Sequence, residues 1–179
     1  EVEEIGADAA VDEQGVAGEV VVPKDAFRQR VAVFFYDNES GDPALDWLQY
    51  GATELLTQDL QQDRYMIAAS PYAGWGGGYY GRLKAAGYGD GLSAPVSLLR
   101  DIAQDFDRQY FVEGSIRKTA GNELIFETRL WNSESMTQVT EVIQKGWDIY
   151  DLLDRTSIAL REALEVPSID IRGQEDLPL

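Results

Sequence analysis

Three carboxylates lie within six residues, immediately after the most apolar run of the sequence. They are Asp37, Glu39 and Asp42, and they follow Val31–Tyr36. Such a cluster could hold a divalent cation, but its spacing does not match the calcium loop of an EF-hand. The same residues suit a turn, and Asp42 before Pro43 is a good helix N-cap. We therefore expect turn formation and helix capping here, and we predict no metal site.

The segment 71–94 is rich in glycine and aromatic residues. Within it, Gly76–Gly81 fits the pattern G-x-G-x-x-G, but a dinucleotide site needs these glycines in the turn that opens a helix. Gly87, Gly89 and Gly91 would interrupt such a helix, and no Lys-Ser or Lys-Thr follows as in a phosphate-binding loop. We predict no nucleotide cofactor and a long loop, with room for a turn of helix at Arg82–Ala86.

Aromatic side chains in this loop have two alternative roles. They can contact a partner, because aromatic rings dominate the energetics of interfaces, or they can fold back over the edge of the sheet. The sequence leaves both open, and we take the first as the hypothesis. The candidate contact surface for a protein or ligand consists of Trp75, Tyr79, Tyr80 and Arg82, with Asp37 and Asn38 beside them.

Composition excludes several classes of function. The 179 residues include no His and no Cys, which removes imidazole bases, thiol nucleophiles and nearly every zinc site. No spacing pairs a serine with a lysine, so we predict no catalytic residue, no cofactor and no enzyme. The net charge of −17 disfavours nucleic acid, because phosphate binding needs clustered Lys and Arg. The longest apolar runs are too short to span a bilayer, so no membrane insertion by this segment is expected.

Hydrophobic patterning predicts one α/β domain. The continuous apolar run Val31–Tyr36 is typical of a central strand buried on both faces. We predict that Tyr65–Ser70 and Tyr110–Arg117 flank it in parallel, in a mixed sheet of about five strands with flanking helices. The last two strands, 123–131 and 137–145, alternate more and favour an antiparallel extension. Helices are predicted at 44–62, 95–106 and 148–164.

The first predicted helix has one apolar face. That face consists of Leu45, Leu48, Ala52, Leu55, Leu56 and Leu60. If Leu55 packs on the sheet as this pattern indicates, its truncation to Ala costs about 2–5 kcal/mol. Outside the domain, which we place at residues 30–166, residues 1–29 are predicted to be an acidic linker with an edge strand at Val20–Val22. Residues 167–179 are predicted to be a C-terminal linker.

Two segments resemble motifs of the TolB amino-terminal-domain-like family. Val31–Tyr36 and the turn after it resemble the family's first strand and its Phe-x-Asn-x-Ser-Gly-Asp-Pro motif, with Tyr36 in place of the usual Phe. Tyr110–Arg117 resembles a later strand that contains Gly-Ser, and the resemblance covers about residues 30–166. The matching residues of the first motif are Asn38, Ser40, Gly41, Asp42 and Pro43, with Gly51 and Glu54 in the next helix. The segment 72–80 is longer than the family's connection.

The resemblance implies a non-catalytic, periplasmic or otherwise extracytoplasmic sensor or interaction domain of a bacterial membrane-anchored signalling protein. The tether would lie outside this sequence, and tetratricopeptide repeats often follow such domains. The implied partner is an envelope protein or the adjacent repeats, with a homo-oligomer left open. Two alternatives stay open: an envelope assembly or lipoprotein domain, of the curli-channel or penicillin-binding-protein-activator type, and a small-molecule-binding receptor module.

Overall fold

The computed structural model describes residues 10–11, 17–18, 27–73 and 78–167. The strands are β1 (Ala10–Val11), β2 (Ala17–Gly18), β3 (Gln29–Asn38), β4 (Met66–Ala69), β5 (Tyr110–Lys118), β6 (Leu124–Asn132) and β7 (Gln138–Gly146). The helices are α1 (Asp46–Gln61), α2 (Gly78–Ala85), α3 (Val96–Asp105) and α4 (Ile149–Ala163), and a 3-10 helix at Pro43–Leu45 precedes α1. The expected strand at Val20–Val22 lies outside the described residues.

Strands β3 to β7 form one mixed sheet, and β1 and β2 form a separate antiparallel pair. The order in the large sheet is β4-β3-β5-β6-β7. Strand β3 runs parallel to both β4 and β5, whereas β5, β6 and β7 are antiparallel neighbours. Parallel pairs need long crossovers and antiparallel pairs can be joined by short hairpins, which matches the chain order. The predicted α/β class and the parallel arrangement around Val31–Tyr36 are confirmed.

One face of the sheet is covered by α1 and α4, and we call this layer the α1/α4 core. Its buried side chains are mostly aliphatic, and Leu48, Leu56 and Leu60 of α1 are fully enclosed. Leu55 is only partly buried at the margin of this layer. The predicted face of the helix is therefore correct, but its centre lies on Leu56, and the cost expected for truncating Leu55 must be lowered.

The opposite face is covered by α2 and α3, and we call this layer the α2/α3 core. It is richer in aromatic rings: those of Phe34 and Tyr79 lie 5.7 Å apart, and those of Phe34 and Phe111 lie 6.2 Å apart. The turn of helix expected at Arg82–Ala86 is part of α2, but α2 begins earlier, at Gly78, so the loop prediction is wrong for residues 78–81. Tyr79 and Leu83 stand four residues apart and are both buried, and their packing outweighs the low helix propensity of Gly81.

Strand β3 contains a bulge between Val33 and Tyr36. Val33 pairs with Val112 and Tyr36 pairs with Gly114, so two residues of β3 face one residue of β5. A bulge bends the strand and redirects side chains. Tyr36 consequently joins Val33 in the α1/α4 core. Its ring fits because a Cβ on Gly114 would lie 2.5 Å from it, which gives a physical reason for the glycine in this motif.

Candidate interaction site at the carboxyl-end rim

The parallel strands of the sheet end at one rim, where their connections diverge. The β3–β4 ladder stops at the pair Ala32 and Ala69, and β3 continues past β4 to Asn38 with β5 as its partner. The chain then turns from β3 to α1 on one face of the sheet, and from β4 to α2 on the other. Adjacent connections that go to opposite faces leave a crevice, which is the usual ligand site of an open α/β sheet.

Four aromatic rings fill this crevice, and we call them the rim aromatic cluster. The ring of Phe35 is central: its centroid lies 4.8 Å from that of Tyr50, 5.3 Å from Tyr72 and 6.1 Å from Tyr80. Tyr72 and Tyr80 contact each other at 5.5 Å. Phe35 reaches this position because of the bulge in β3. The four rings come from β3, α1, the end of β4 and α2, so the cluster joins both faces of the sheet.

The loop between α2 and α3 closes over the cluster. Gly91 has φ +79°, and a Cβ there would lie 2.8 Å from the ring of Phe35, so both backbone conformation and space favour glycine. Tyr80 donates its hydroxyl to the carbonyl of Gly89 at 2.8 Å. Ser93 donates its N–H to Asp37 Oδ1 at 2.8 Å, and its hydroxyl donates to the same oxygen at 3.2 Å. The loop is thus fixed to the end of β3.

The polar turn after β3 is organised by hydrogen bonds among its own residues. Asn38 donates its side-chain N–H₂ to the Asp42 carbonyl at 3.0 Å and to Asp46 Oδ1 at 2.7 Å. Its side-chain oxygen accepts from both the N–H and the hydroxyl of Ser40. Asp42 caps the 3-10 helix by accepting from the N–H of Ala44 at 3.0 Å. This geometry agrees with the turn and cap expected from the sequence.

An ion pair joins this turn to β5. Lys118, at the end of β5, places Nζ 2.8 Å from Asp42 Oδ2. The hydrogen bond from Lys118, together with that from the N–H of Ala44, holds the pKa of Asp42 below its usual value. In the described parts of the chain, no group of three acidic side chains is arranged to hold a metal ion. The turn therefore connects β3 to β5 and α1.

The candidate residues of the glycine-rich segment are separated by the structure. Tyr79 is 1% exposed, and its hydroxyl accepts from Arg108 Nε at 2.7 Å, so its expected place on a contact surface is wrong in this conformation. Arg82 is exposed and forms an ion pair with Asp105. Tyr80 is half-buried in the rim aromatic cluster. Trp75 lies outside the described residues.

Tyr72 is the most accessible ring of the cluster, with 53% of its surface exposed. Partial burial raises the pKa of its hydroxyl above the ordinary value. Sequence reasoning missed it as a site residue, although it lies in the aromatic segment that attracted attention. Nothing in the sequence distinguished Phe35 as a site residue, because it lies inside a continuous apolar run.

A second set of exposed aromatic side chains lies elsewhere on the same rim. Helix α1 begins there after the β3 turn, and α4 begins there after β7. The exposed side chains at these two helix starts are Trp47, Trp147 and Tyr150. Sequence reasoning did not select them, because an isolated aromatic residue near a helix start carries no distinctive pattern.

Several solved structures resemble the chain in fold. Neither a protein-family model nor a curated protein matches it. The fold is similar to TolB from Acinetobacter baumannii, with a TM-score of 0.51 and 14% identity over 91% of this chain and 31% of that one. The C-terminal domains of LpoB from Salmonella enterica and Escherichia coli both give TM-scores of 0.53, at 16% and 14% identity. These matches cover 66% and 68% of this chain and 82% and 85% of the LpoB chains.

The likeness to TolB concerns one part of that protein. This chain covers 31% of the TolB chain, which is less than a third of its length. At sequence identities of 14–16%, a similar structure shows a shared fold but does not show a shared activity. The chain has the α/β fold of the TolB amino-terminal-like domains.

Proposed function

We propose that this chain is a non-catalytic protein-interaction domain that works outside the cytoplasmic membrane, as the sensor or scaffold domain of a bacterial membrane-anchored signalling protein. The filled crevice at the rim is the observation that carries the proposal. Phe35, Tyr50, Tyr72 and Tyr80 occupy the place where a small ligand would bind. A filled crevice offers a surface instead of a cavity, and such surfaces recognise macromolecules.

The chemistry of the rim also favours a protein over other partners. Tyr72 presents a half-exposed ring beside the fixed loop, and tyrosine is enriched among residues that contribute most to binding. The formal charge of −17 opposes a nucleic acid. Absence of His and Cys from the whole sequence supports a domain that binds without catalysing a reaction. Among the described residues, no helix is both long and apolar enough to cross a membrane.

The signalling role rests on the motif resemblance, and an envelope assembly lipoprotein is the alternative. Both would use the rim for protein contact and differ in their tether. A membrane helix joined to a kinase or cyclase domain in the parent gene would support the sensor. A cysteine at a lipidation signal would support the lipoprotein instead.

Site-specific photo-crosslinking in the source bacterium tests the interaction surface. A photoreactive residue replaces Tyr72 in one strain and Phe27, which is exposed at the opposite end of β3, in a control strain. We expect one defined envelope protein to crosslink at position 72 and not at position 27. The Tyr72→Ala variant should bind that protein at least about tenfold more weakly with an unchanged melting temperature. Equal crosslinking at both positions, or none at position 72, would contradict the proposal.

A further inference from the structure

Strand β7 forms a long open edge of the sheet. It runs for nine residues, Gln138–Gly146, and pairs with β6 on one side and with no described strand on the other. An edge of this length presents a row of backbone donors and acceptors that can pair with another chain. Natural proteins usually shorten or cover such edges, so an uncovered one calls for an explanation.

Exposed apolar side chains are frequent in the part of the chain that contains β7 and α4. Ile143 of β7 is 50% exposed, and Trp147, directly after the strand, is 70% exposed. Five of the nine large exposed hydrophobic residues among the described residues belong to 139–158. These five are Val139, Ile143, Trp147, Tyr150 and Ile158. Ile143 on the edge strand and Trp147 directly after it are exposed apolar side chains of the kind that a partner covers.

The sequence of β7 is self-complementary about Ile143. Val142 points into the α1/α4 core, so Glu141, Ile143 and Lys145 point to the other face of the sheet. If a second copy pairs antiparallel with Ile143 opposite itself, Glu141 stands opposite Lys145 of the copy, and Lys145 opposite its Glu141. Directly opposed residues of unlike charge and of apolar character stabilise antiparallel strands.

The regular part of the strand has the same centre. The ladder with β6 is uninterrupted from Thr140 to Gly146, and a register shift just before Thr140 ends it. Ile143 is the midpoint of this seven-residue segment. A two-fold axis through Ile143 would therefore pair all of the regular segment with itself, as an isologous dimer contact requires.

A hydrogen bond from α4 shows which backbone groups of β7 point away from β6. Arg155 donates from its guanidinium to the carbonyl of Lys145 at 3.0 Å and to Gln144 Oε1 at 3.0 Å. The carbonyl of Lys145 thus points to the outer side of β7, where it accepts from Arg155. Because alternate residues of an antiparallel strand present their backbone groups to the same side, those of Ile143 and Glu141 point outward as well. Pairing exchanges the Arg155 contact for a backbone hydrogen bond.

We propose that β7 is a homodimerisation edge, at which two copies of this chain pair antiparallel about Ile143 and form one continuous ten-stranded sheet. The pairing surface is the outer edge of β7, whereas the proposed interaction surface is the rim aromatic cluster around Phe35 and Tyr72. This inference therefore goes beyond the proposed function and does not depend on it. An unrelated extended peptide would fit the open edge, but it would have no reason to match the reversed order of Glu141 and Lys145.

Charge reversal with rescue tests the pairing, with sedimentation equilibrium of the full chain as the measurement. We expect a dimer for the wild type. Lys145→Glu places two carboxylates opposite each other twice per dimer and should weaken association about tenfold or more. The double variant Glu141→Lys/Lys145→Glu restores unlike pairs and should recover the dimer. Lys84→Glu, which makes the same charge change on exposed α2, should leave association unchanged.

A second variant keeps the test independent of the ion pairs that Glu141 forms within the chain. Ile143→Lys places two ammonium groups together at the two-fold axis and should give a monomer with an unchanged far-UV circular dichroism spectrum. A wild type that stays monomeric at all concentrations would overturn the proposal. So would a dimer that persists in both Lys145→Glu and Ile143→Lys, because it would be formed by another surface.

Discussion

The two faces of the sheet are covered by different kinds of core. The α1/α4 core is built from helices of 16 and 15 residues and mostly aliphatic side chains. The α2/α3 core is built from helices of 8 and 10 residues, and the rings of Phe34, Tyr79 and Phe111 occupy its centre. A long helix shows its buried face as a periodic pattern in the sequence. The ten-residue α3 also shows such a pattern, but the rings that pack under α2 do not, so that part of the second core becomes visible only in three dimensions.

The largest effect should come from removing the ring at the centre of the aromatic layer. Tyr79→Ala deletes a fully buried side chain and should lower the free energy of unfolding by about 3–5 kcal/mol, as for other buried aromatic residues. Urea denaturation measures the change. Tyr79→Phe is the matched control, because it keeps the ring and loses only the contact with Arg108. If Tyr79→Ala cost no more than the exposed Tyr72→Ala, the α2/α3 layer would not be a core.

In the α1/α4 core, truncation of two neighbouring leucines should lower the free energy of unfolding by different amounts. Leu56→Ala removes a side chain with no exposed surface and should cost about 2–5 kcal/mol. Leu55→Ala, at the margin of the same layer, should cost distinctly less, because solvent already reaches that site. Both values come from urea denaturation of the two variants. Equal losses, or a larger loss for Leu55, would show that α1 is rotated from the orientation described above.

This contrast explains how much could be predicted from the sequence. The run Val31–Tyr36, the helix after it and the parallel neighbours were predictable, because each follows from a continuous or periodic apolar pattern. The Asp42 cap was predictable from its position before Pro43. The first half of helix α2 was missed because glycines surround it and tertiary packing of Tyr79 and Leu83 decides its conformation.

The candidate site was less predictable than the fold for a related reason. Tyr80 was selected from its segment, and its contact with Phe35 depends on a bulge that no residue type announces. Asp37 and Asn38 were selected for the rim and do lie there, but their polar atoms are used by Ser93, Ser40 and Asp46. Whether the selected residues bind a partner stays a prediction.

A buried hydrogen bond sharpens the comparison, since it places a polar pair inside the aliphatic layer. The hydroxyl groups of Tyr36 and Thr128 lie 2.7 Å apart. Tyr36→Phe leaves the buried Thr128 hydroxyl without this partner and should cost about 1–3 kcal/mol. Tyr36→Phe combined with Thr128→Val removes both partners and should cost less than the sum of the two single changes. Strict additivity in this double-mutant cycle, measured by urea denaturation, would argue against a coupled pair.

Burial also raises the pKa of Tyr36 well above its ordinary value. The unfolded chain loses this proton near pH 10 and the folded chain does not. The contribution of Tyr36 to stability is therefore complete below pH 10 and is lost as the pH rises above it. Tyr36→Phe should reduce the steepness of this alkaline loss in urea midpoints.

The smallest effect concerns the solvent-exposed turn that starts the α1 layer. The hydrogen bond from Lys118 and that from the Ala44 N–H hold the pKa of Asp42 below its usual value. Its contribution to stability is present above the unfolded pKa of about 3.9 and is lost as the pH falls through the lower folded value. Lys118→Met should raise the Asp42 pKa in an NMR titration, and Lys84→Met should not. An Asp42 pKa equal in all three proteins would mean that the ion pair does not form in solution.

The bulge in β3 makes the rim sensitive to the number of residues in this strand. Loss of one residue between Val33 and Tyr36 would restore simple alternation, and Tyr36 would then follow Val33 by two positions. Its ring would stay in the α1/α4 core opposite Gly114, and Asn38 would keep its place beside α1. Deletion of Phe35 would therefore leave the register of both cores in place, while the rim would lose the ring that joins its four parts. The extra residue of this strand is thus a determinant of the rim and not of the fold.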